Sequence, residues 1–166
     1  MEEQGEIARF AAKAPYLSEL VVPNAPDLSF FQIPLPRLST LRIGGGSDTQ
    51  QFIDGLAASG NLPGLMLLDF TESTELQTTW APDRLAGAVT TFAAYEKLFA
   101  SSAFDPARAL HLRNSCLTLE RLQALNAMRP RLQFMVIQAT HGGYVSHFAG
   151  DVFPWRHLVQ ADPGQR

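Results

Sequence analysis

The sequence ARALHLRNSCLTLERLQALNAMRPRLQFMVI, residues 107–137, decides the predicted fold, because it begins and ends with the same six-residue pattern. Apolar residues stand at positions 1, 4 and 6 of that pattern, first as Ala107, Leu110 and Leu112 and again, at the other end, as Leu132, Met135 and Ile137. Leu119, Leu122 and Leu125 lie between the two copies at a spacing that predicts a short helix with one apolar stripe. The stretch therefore predicts a strand, a helix and a second strand that repeat as a unit.

The same apolar pattern recurs in the preceding part of the chain. It occurs as Leu17, Leu20 and Val22; as Leu38, Leu41 and Ile43; as Leu65, Leu68 and Phe70; and, in a weaker form, as Val89, Phe92 and Ala94. Alternate side chains of a strand face opposite ways, so positions 4 and 6 should face a core while positions 3, 5 and 7 face outward. One unit cannot bury its apolar face alone. The strands are therefore predicted to stack as a parallel sheet with helices or loops on its outer side.

The spacing of these units resembles that of leucine-rich repeats, whose period is roughly 20 to 29 residues. We therefore predict an α/β leucine-rich-repeat solenoid, a short curved horseshoe of about six or seven units, with the parallel sheet on its concave face and irregular helices and loops on its convex face. The competing fold is a doubly wound α/β domain, whose strands would be buried on both faces. Arg42, Asp69 and His111, all at position 5, argue against that fold because they would place charge or polarity in its core.

A single domain is predicted for residues 1–166, since a chain of this length can bury one substantial core. The predicted parts are an N-terminal capping helix (1–16), the repeats (17–145) and a C-terminal cap and tail (146–166) in which Phe153 and Trp155 are buried. A solenoid needs such caps to close the ends of its core. If the caps are incomplete, the exposed end strands would favour end-to-end self-association.

Five segments carry a resemblance to a narrower family. They are APYLSELVVP (14–23), LPRLSTLRIGGGSD (35–48), FIDGL (52–56), LPGLMLLDF (62–70) and LHLRNSCLTLERLQAL (110–125), and together they resemble the repeat region of fungal F-box proteins. The resemblance implies a substrate-recognition module in ubiquitin ligation. No F-box is recognised in the sixteen residues before the first repeat, so we expect that this chain does not by itself dock a ligase scaffold.

Composition restricts the class of protein. Hydrophobic residues make up 46% of the chain and charged residues 17%. This composition predicts a folded protein, because disordered chains have few hydrophobic residues and many charged ones. The acidic N-terminus MEEQGEIARF lacks the basic and apolar regions of a signal peptide, and we predict a cytoplasmic or nuclear protein that does not contact membranes. With Cys116 as the only cysteine, stability must come from packing.

The function predicted from this pattern is protein binding without catalysis, because a solenoid offers a broad sheet face and no deep cleft. The outward-facing candidates are Arg42, Met66, Leu67, Asp69, Arg108, His111, Arg113, Gln133, Phe134, Val136 and Gln138. Leu67, Phe134 and Val136, ringed by arginines, have the composition of an interface centre with a charged rim. We expect the ligand to be an acidic or mixed-charge protein segment, with no cofactor and no nucleic acid.

An alternative function is a small α/β enzyme or nucleotide-binding domain that uses the Gly44–Gly46 loop. This loop follows a predicted strand and precedes a predicted helix, where backbone amides can cradle phosphate. The dinucleotide fingerprint would need glycine in place of Thr49, and the phosphate loop would need a Gly-Lys-Ser or Gly-Lys-Thr that is absent. Glycines that permit a tight strand exit are therefore the favoured interpretation.

Three other groups of residues could carry chemistry. They are His141, His147, Asp151 and His157 as metal ligands, Cys116 with His111 as nucleophile and base, and Asp69, Glu72 and Glu75 as an acid–base cluster. None of the histidine pairs has the i, i+4 spacing that places two ligands on one helix face. Surface, turn and loop positions are the favoured interpretation for all three groups.

Overall fold

The computed structural model describes residues 5–44, 49–72, 90–113, 115 and 117–137. Its strands are β1 (Glu19–Val22), β2 (Thr40–Ile43), β3 (Leu67–Thr71), β4 (Ala109–Arg113) and β5 (Gln133–Ile137). Its helices are α1 (Glu6–Ala11), α2 (Thr49–Ala58), α3 (Phe92–Ala100) and α4 (Leu119–Met128), with 3-10 helices at Leu28–Gln32 and Ser102–Phe104. No described helix has the length and hydropathy needed to cross a membrane.

The five strands form one parallel sheet in the order β1-β2-β3-β4-β5. Leu20, Leu41, Leu68 and Leu110 occupy one row across the first four strands. These four residues are the ones at position 4 of the repeated pattern, so the pattern aligned the residues of these strands correctly. The strand predicted between β3 and β4, at Val89, Phe92 and Ala94, does not separate them, because β3 pairs directly with β4. The prediction that β4 and β5 are neighbouring parallel strands is also confirmed, as is the α/β class.

The hydrophobic core lies between the sheet and the described helices. Most helix residues predicted to face it are buried, namely Phe52, Ile53 and Leu56 of α2, Tyr95, Leu98 and Phe99 of α3, and Leu122 and Leu125 of α4. Leu119, predicted to share the stripe of α4, is only partly buried. Phe52 stacks on Phe70 of β3 with ring centroids 5.4 Å apart, and Phe31 lies 5.3 Å from Phe52 on the other side. These contacts join the first 3-10 helix, α2 and the sheet in one core.

The starts of α3 and α4 follow from their N-cap residues. Thr91 accepts a hydrogen bond from Ala94 N at 3.3 Å, and Thr118 accepts one from Arg121 N at 3.4 Å. Both hydroxyl groups thereby satisfy an amide that the first helical turn leaves unpaired. The predicted strand around Phe92 is therefore wrong where the structure describes it, because Thr91 starts a helix there.

Arg129 joins the end of α4 to the turn that follows α3. Its guanidinium donates to three backbone oxygens, of Phe99 at 2.6 Å, Ser101 at 2.9 Å and Phe104 at 3.1 Å. A fourth bond reaches the Asp105 carboxylate at 2.9 Å. Carbonyl groups at the end of a helix lack donors within the helix. The Arg129 side chain alone therefore satisfies backbone oxygens of this turn that would otherwise need several separate donors.

The register of β5 differs from the prediction by one residue. Leu110 pairs with Phe134 and Leu112 with Val136, where the pattern predicted Met135 and Ile137 as their partners. Phe134 and Val136 therefore face the core: the Phe134 ring lies 5.7 Å from the Phe99 ring, and Val136 is only 2% exposed. The predicted facing of Met135 and Ile137 was wrong, because they pair with His111 and Arg113 on the other face, yet both are buried, at 3% and 8% exposure. The prediction that Phe134 and Val136 face outward was also wrong.

The error has a physical reason. A shift of one residue moves every side chain of a strand to the opposite face. The sequence from Phe134 to Ile137 is apolar throughout, so its composition does not distinguish the two registers. Gln138 and the predicted C-terminal cap, with Phe153 and Trp155, lie outside the described residues.

Candidate functional site: the open face of the sheet

One face of the sheet is covered by no described helix, and we call it the open face. Its side chains form three rows across the strands: Glu19, Thr40, Leu67, Ala109 and Gln133; Val21, Arg42, Asp69, His111 and Met135; and Thr71, Arg113 and Ile137. They face away from the helix-covered side because side chains alternate along each strand, although Asp69, Met135 and Ile137 are buried. Met66 and Arg108 immediately precede the strands that carry the first row.

An ion-pair cluster lies at the centre of the open face. Arg113 donates from Nε to Asp69 Oδ1 at 2.6 Å and from Nη2 to Asp69 Oδ2 at 2.9 Å, which is a bidentate pair. His111 Nδ1 lies 3.4 Å from Asp69 Oδ2. The sheet sets this arrangement, because Asp69 pairs with His111 in the register and Arg113 lies two residues further along the same face of β4.

The electrostatics of the cluster define what Asp69 can do. Burial would raise the pKa of this carboxyl, but hydrogen bonds from His111 and Arg113, together with their charges, lower it to about 2. A general acid or base works best with a pKa near the working pH. Asp69 is therefore a fixed negative charge that holds Arg113 in place, and this does not favour the acid–base interpretation of Asp69, Glu72 and Glu75.

The other two acidic residues of that predicted group lie elsewhere. Glu72 is fully buried, and the Tyr95 hydroxyl donates to its Oε2 at 3.2 Å. Glu75 lies outside the described residues. The structure therefore does not bring Glu72 to the open face beside Asp69.

The N-terminal half of the open face is more exposed than its centre. Arg42 forms a 3.5 Å ion pair with Glu19, and both side chains are about half exposed. Val21 is 64% exposed and Met66 51% exposed. Charged and apolar groups of this kind, side by side on a rigid sheet, are what protein interfaces combine.

The structure brings most of the predicted binding residues together. Arg42, Leu67, Asp69, His111, Arg113 and Gln133 lie on the open face, with Met66 and Arg108 beside it. Phe134 and Val136 do not join them, because they face the core. The prediction omitted Glu19 and Val21, although both stand at outward positions of the first repeat and the same alternation rule could have found them.

The Gly44 position has a structural explanation. Gly44 N donates to Val22 O at 2.8 Å, and a Cβ added to Gly44 would lie 2.2 Å from the backbone oxygen of Pro23. Glycine is required here because the ends of β1 and β2 approach too closely for a side chain. Gly45 and Gly46 lie outside the described residues.

The other candidate groups fall largely outside the described residues. These are Cys116 and the four predicted metal ligands His141, His147, Asp151 and His157. Within the described ranges, no group of three or more His, Cys, Asp or Glu residues could hold a metal ion.

A cleft of about 360 Å³ lies on the helical side, near the ends of α2 and α3. It is lined by Ala57, Ala58, Ser59, Gly60, Leu62, Pro63, Ser101, Ser102, Ala103 and Pro106. None of these side chains is ionisable. The cleft therefore offers little for acid–base or nucleophilic chemistry.

Comparisons with protein-family models, curated proteins and solved structures found no match for this chain. Its function is therefore inferred from the geometry of the open face.

Proposed function

We propose that this chain is a short leucine-rich-repeat solenoid whose open face binds a segment of another protein without catalysing a reaction. Two observations support the architecture: the strands follow one another across the sheet in chain order, and the described helices pack against one face only. Doubly wound sheets differ in both respects, because their strand order reverses at a switch point and helices cover both faces.

The observation that carries the proposed function is the fixed ion-pair cluster on the sheet face that no described helix covers. Asp69 is 7% exposed and accepts two hydrogen bonds from Arg113, so the Arg113 side chain is held before any ligand arrives. Side chains that are already ordered lose less conformational entropy on binding. A rigid polar centre beside exposed Val21 and Met66 is therefore well suited to recognition.

The charge pattern indicates the chemistry of the ligand. Acidic and basic side chains alternate across the open face as two pairs, Glu19 with Arg42 and Asp69 with Arg113. A segment of mixed charge with an apolar side chain would meet opposite charges and the exposed Val21 and Met66. We propose such a segment, in a cytoplasmic or nuclear protein, as the ligand. The role implied by the F-box resemblance is a narrower form of this proposal, in which the segment belongs to a ubiquitin-ligase substrate.

The test is affinity capture from native cell extract with the wild type, an Arg42→Glu, Met66→Asp double variant and an Arg121→Glu control. Arg121 is exposed on α4, so the control makes the same charge reversal on the helical side. Losing an interface residue and reversing a charge should weaken binding by roughly 2 to 4 kcal/mol, enough to remove a micromolar partner.

We expect a partner that binds the wild type and the control but not the double variant. A partner lost only from the Arg121→Glu protein would place the binding surface on the helices and contradict the proposal. Turnover of a small molecule that is abolished by Asp69→Asn would overturn the non-catalytic interpretation.

A further inference from the structure

In the described part of the chain, the outer edge of β1 carries backbone groups without partners. Thr40 N donates to Ser18 O at 3.1 Å and Gly44 N to Val22 O at 2.8 Å, which fixes the parallel ladder between β1 and β2. In a parallel ladder, each residue directs both its N–H and its C=O to the same side, and successive residues alternate between the two sides of the strand. The amides and carbonyls of Glu19 and Val21 therefore point away from β2, and no described residue bonds to them.

Exposed apolar side chains concentrate at the same end of the molecule. Of the six large hydrophobic side chains that are exposed in the described part of the chain, four precede β2, namely Phe10, Tyr16, Val21 and Leu28. Val21, which is one of them, lies on β1 itself, and an unpaired strand edge is a surface on which another strand can pair. This end differs from the open face, because it offers backbone hydrogen bonds as well as side chains.

We propose that two copies of this chain associate through their β1 edges, as antiparallel strands related by a two-fold axis at Leu20. Glu19 of one copy then pairs with Val21 of the other, and each pair exchanges two N–H to O=C bonds. The two-fold axis repeats the pair, so four hydrogen bonds satisfy all eight outward backbone groups of the two strands. The proposal does not rest on the open-face ligand, although the side chains of Glu19 and Val21 also lie on the open face.

The two-fold axis is specified by the neighbouring residues. An axis at Glu19 would place two glutamates directly opposite each other, which is destabilising. An axis at Val21 would pair Glu19 with Pro23, which has no amide to donate. With the axis at Leu20, Glu19 lies opposite Val21 of the second copy, and Arg42 stands next to that Val21 in the register. Glu19 of one copy then lies in the same row as Arg42 of the second copy, with Val21 between them.

The test uses the purified full chain, because the second copy is the only ligand required. Sedimentation velocity over a dilution series should show a concentration-dependent dimer for the wild type. Val21→Pro removes one outward donor per copy and leaves the ladder with β2 intact, since proline is tolerated where a strand amide faces solvent. Losing two of the four bonds should weaken association by about 30-fold. Val21→Thr keeps the amide and the branched side chain, so this control should still dimerise.

Amide exchange of the wild type gives a second measurement that does not depend on the folding of any variant. The Glu19 and Val21 amides should exchange slowly in concentrated samples and rapidly in dilute ones, whereas the Leu20 amide should be insensitive to concentration. A wild type that stays monomeric at every concentration would overturn the proposal. So would a Val21→Pro protein that dimerises as tightly as the wild type, or Glu19 and Val21 amides whose exchange is independent of concentration. Both measurements use the purified chain alone, so their outcome is separate from that of the capture experiment with Arg42→Glu, Met66→Asp, which leaves Glu19 and Val21 unchanged.

Discussion

Asp69→Asn tests whether the ion-pair cluster of the open face stabilises the fold through charge. The pKa of Asp69 is lowered from its ordinary value of 3.8 to about 2, because hydrogen bonds and charges from His111 and Arg113 outweigh the effect of burial. A lowered pKa means that the folded state holds the ionised form more tightly than the unfolded state does. The stabilisation is therefore complete well above pH 4 and is lost as the pH falls towards 2.

The size of the effect follows from the same pKa values. A tenfold change in a protonation equilibrium corresponds to about 1.4 kcal/mol, so the lowered pKa contributes about 2 kcal/mol to the free energy of unfolding at neutral pH. About 1 kcal/mol of this should be lost by about pH 3, where the unfolded state is mostly protonated. Asparagine has the shape of the carboxyl group without its charge, so Asp69→Asn should remove this contribution at neutral pH.

The assay is urea unfolding of the wild type and Asp69→Asn at neutral pH and near pH 3. We expect the variant to be less stable by about 2 kcal/mol at neutral pH and by about half as much at the lower pH. Glu19→Gln is the matched control, because the Glu19 ion pair with Arg42 is about half exposed. Exposed pairs contribute little, so the control should stay within about 0.5 kcal/mol of the wild type at both pH values.

Two results would refute the reasoning. Equal stability of the wild type and Asp69→Asn at neutral pH would mean that desolvation of the carboxylate cancels its interactions with Arg113 and His111. A difference of the same size at both pH values would mean that asparagine disturbs packing, since a loss of charge must depend on pH.

Three further substitutions test the packing. Arg129→Lys should lower the free energy of unfolding by roughly 2 to 3 kcal/mol in urea titrations, because lysine cannot reach three backbone oxygens in the geometry of a guanidinium. Gly44→Ala should lower the melting temperature, because its methyl group would overlap a neighbouring backbone oxygen, whereas Gly60→Ala, with open space at its Cβ, is the neutral control. Val136→Asp should unfold the protein or cost more than about 3 kcal/mol, while Gln133→Asp on the same strand should be tolerated; the reverse order would contradict the register of β5.

The sequence was sufficient to predict the sheet where polar and apolar residues alternate. In β4, His111 stands between Leu110 and Leu112, and Arg113 follows, so only one register buries both leucines. The same holds for β2, where Arg42 separates two buried residues. Alternation therefore determined the faces of these strands.

Alternation could not determine β5 or the ion-pair cluster. Leu132 N donates to Arg129 O, and Gln133 N already bonds to Arg108 O of the neighbouring strand, so pairing begins immediately after the turn and shifts the strand by one residue. An apolar run fits both registers equally well, so the sequence does not predict that shift. The pattern did place Asp69 and His111 at the same position of their units, but the predicted strand between them hid their contact, and the bidentate bond from Arg113 depends on a side-chain conformation that spacing does not specify.

The register of β5 also changes which residues can test a binding surface. Phe134 packs against Phe99, so Phe134→Ala would damage the core, and a lost partner would then report unfolding. Exposed apolar surface on or beside the open face is instead provided by Val21 and Met66, next to Arg42. A variant in these exposed residues changes what a ligand meets and leaves the core intact. Loss of binding in Arg42→Glu, Met66→Asp with an unchanged melting temperature would therefore assign the site to the N-terminal half of the open face.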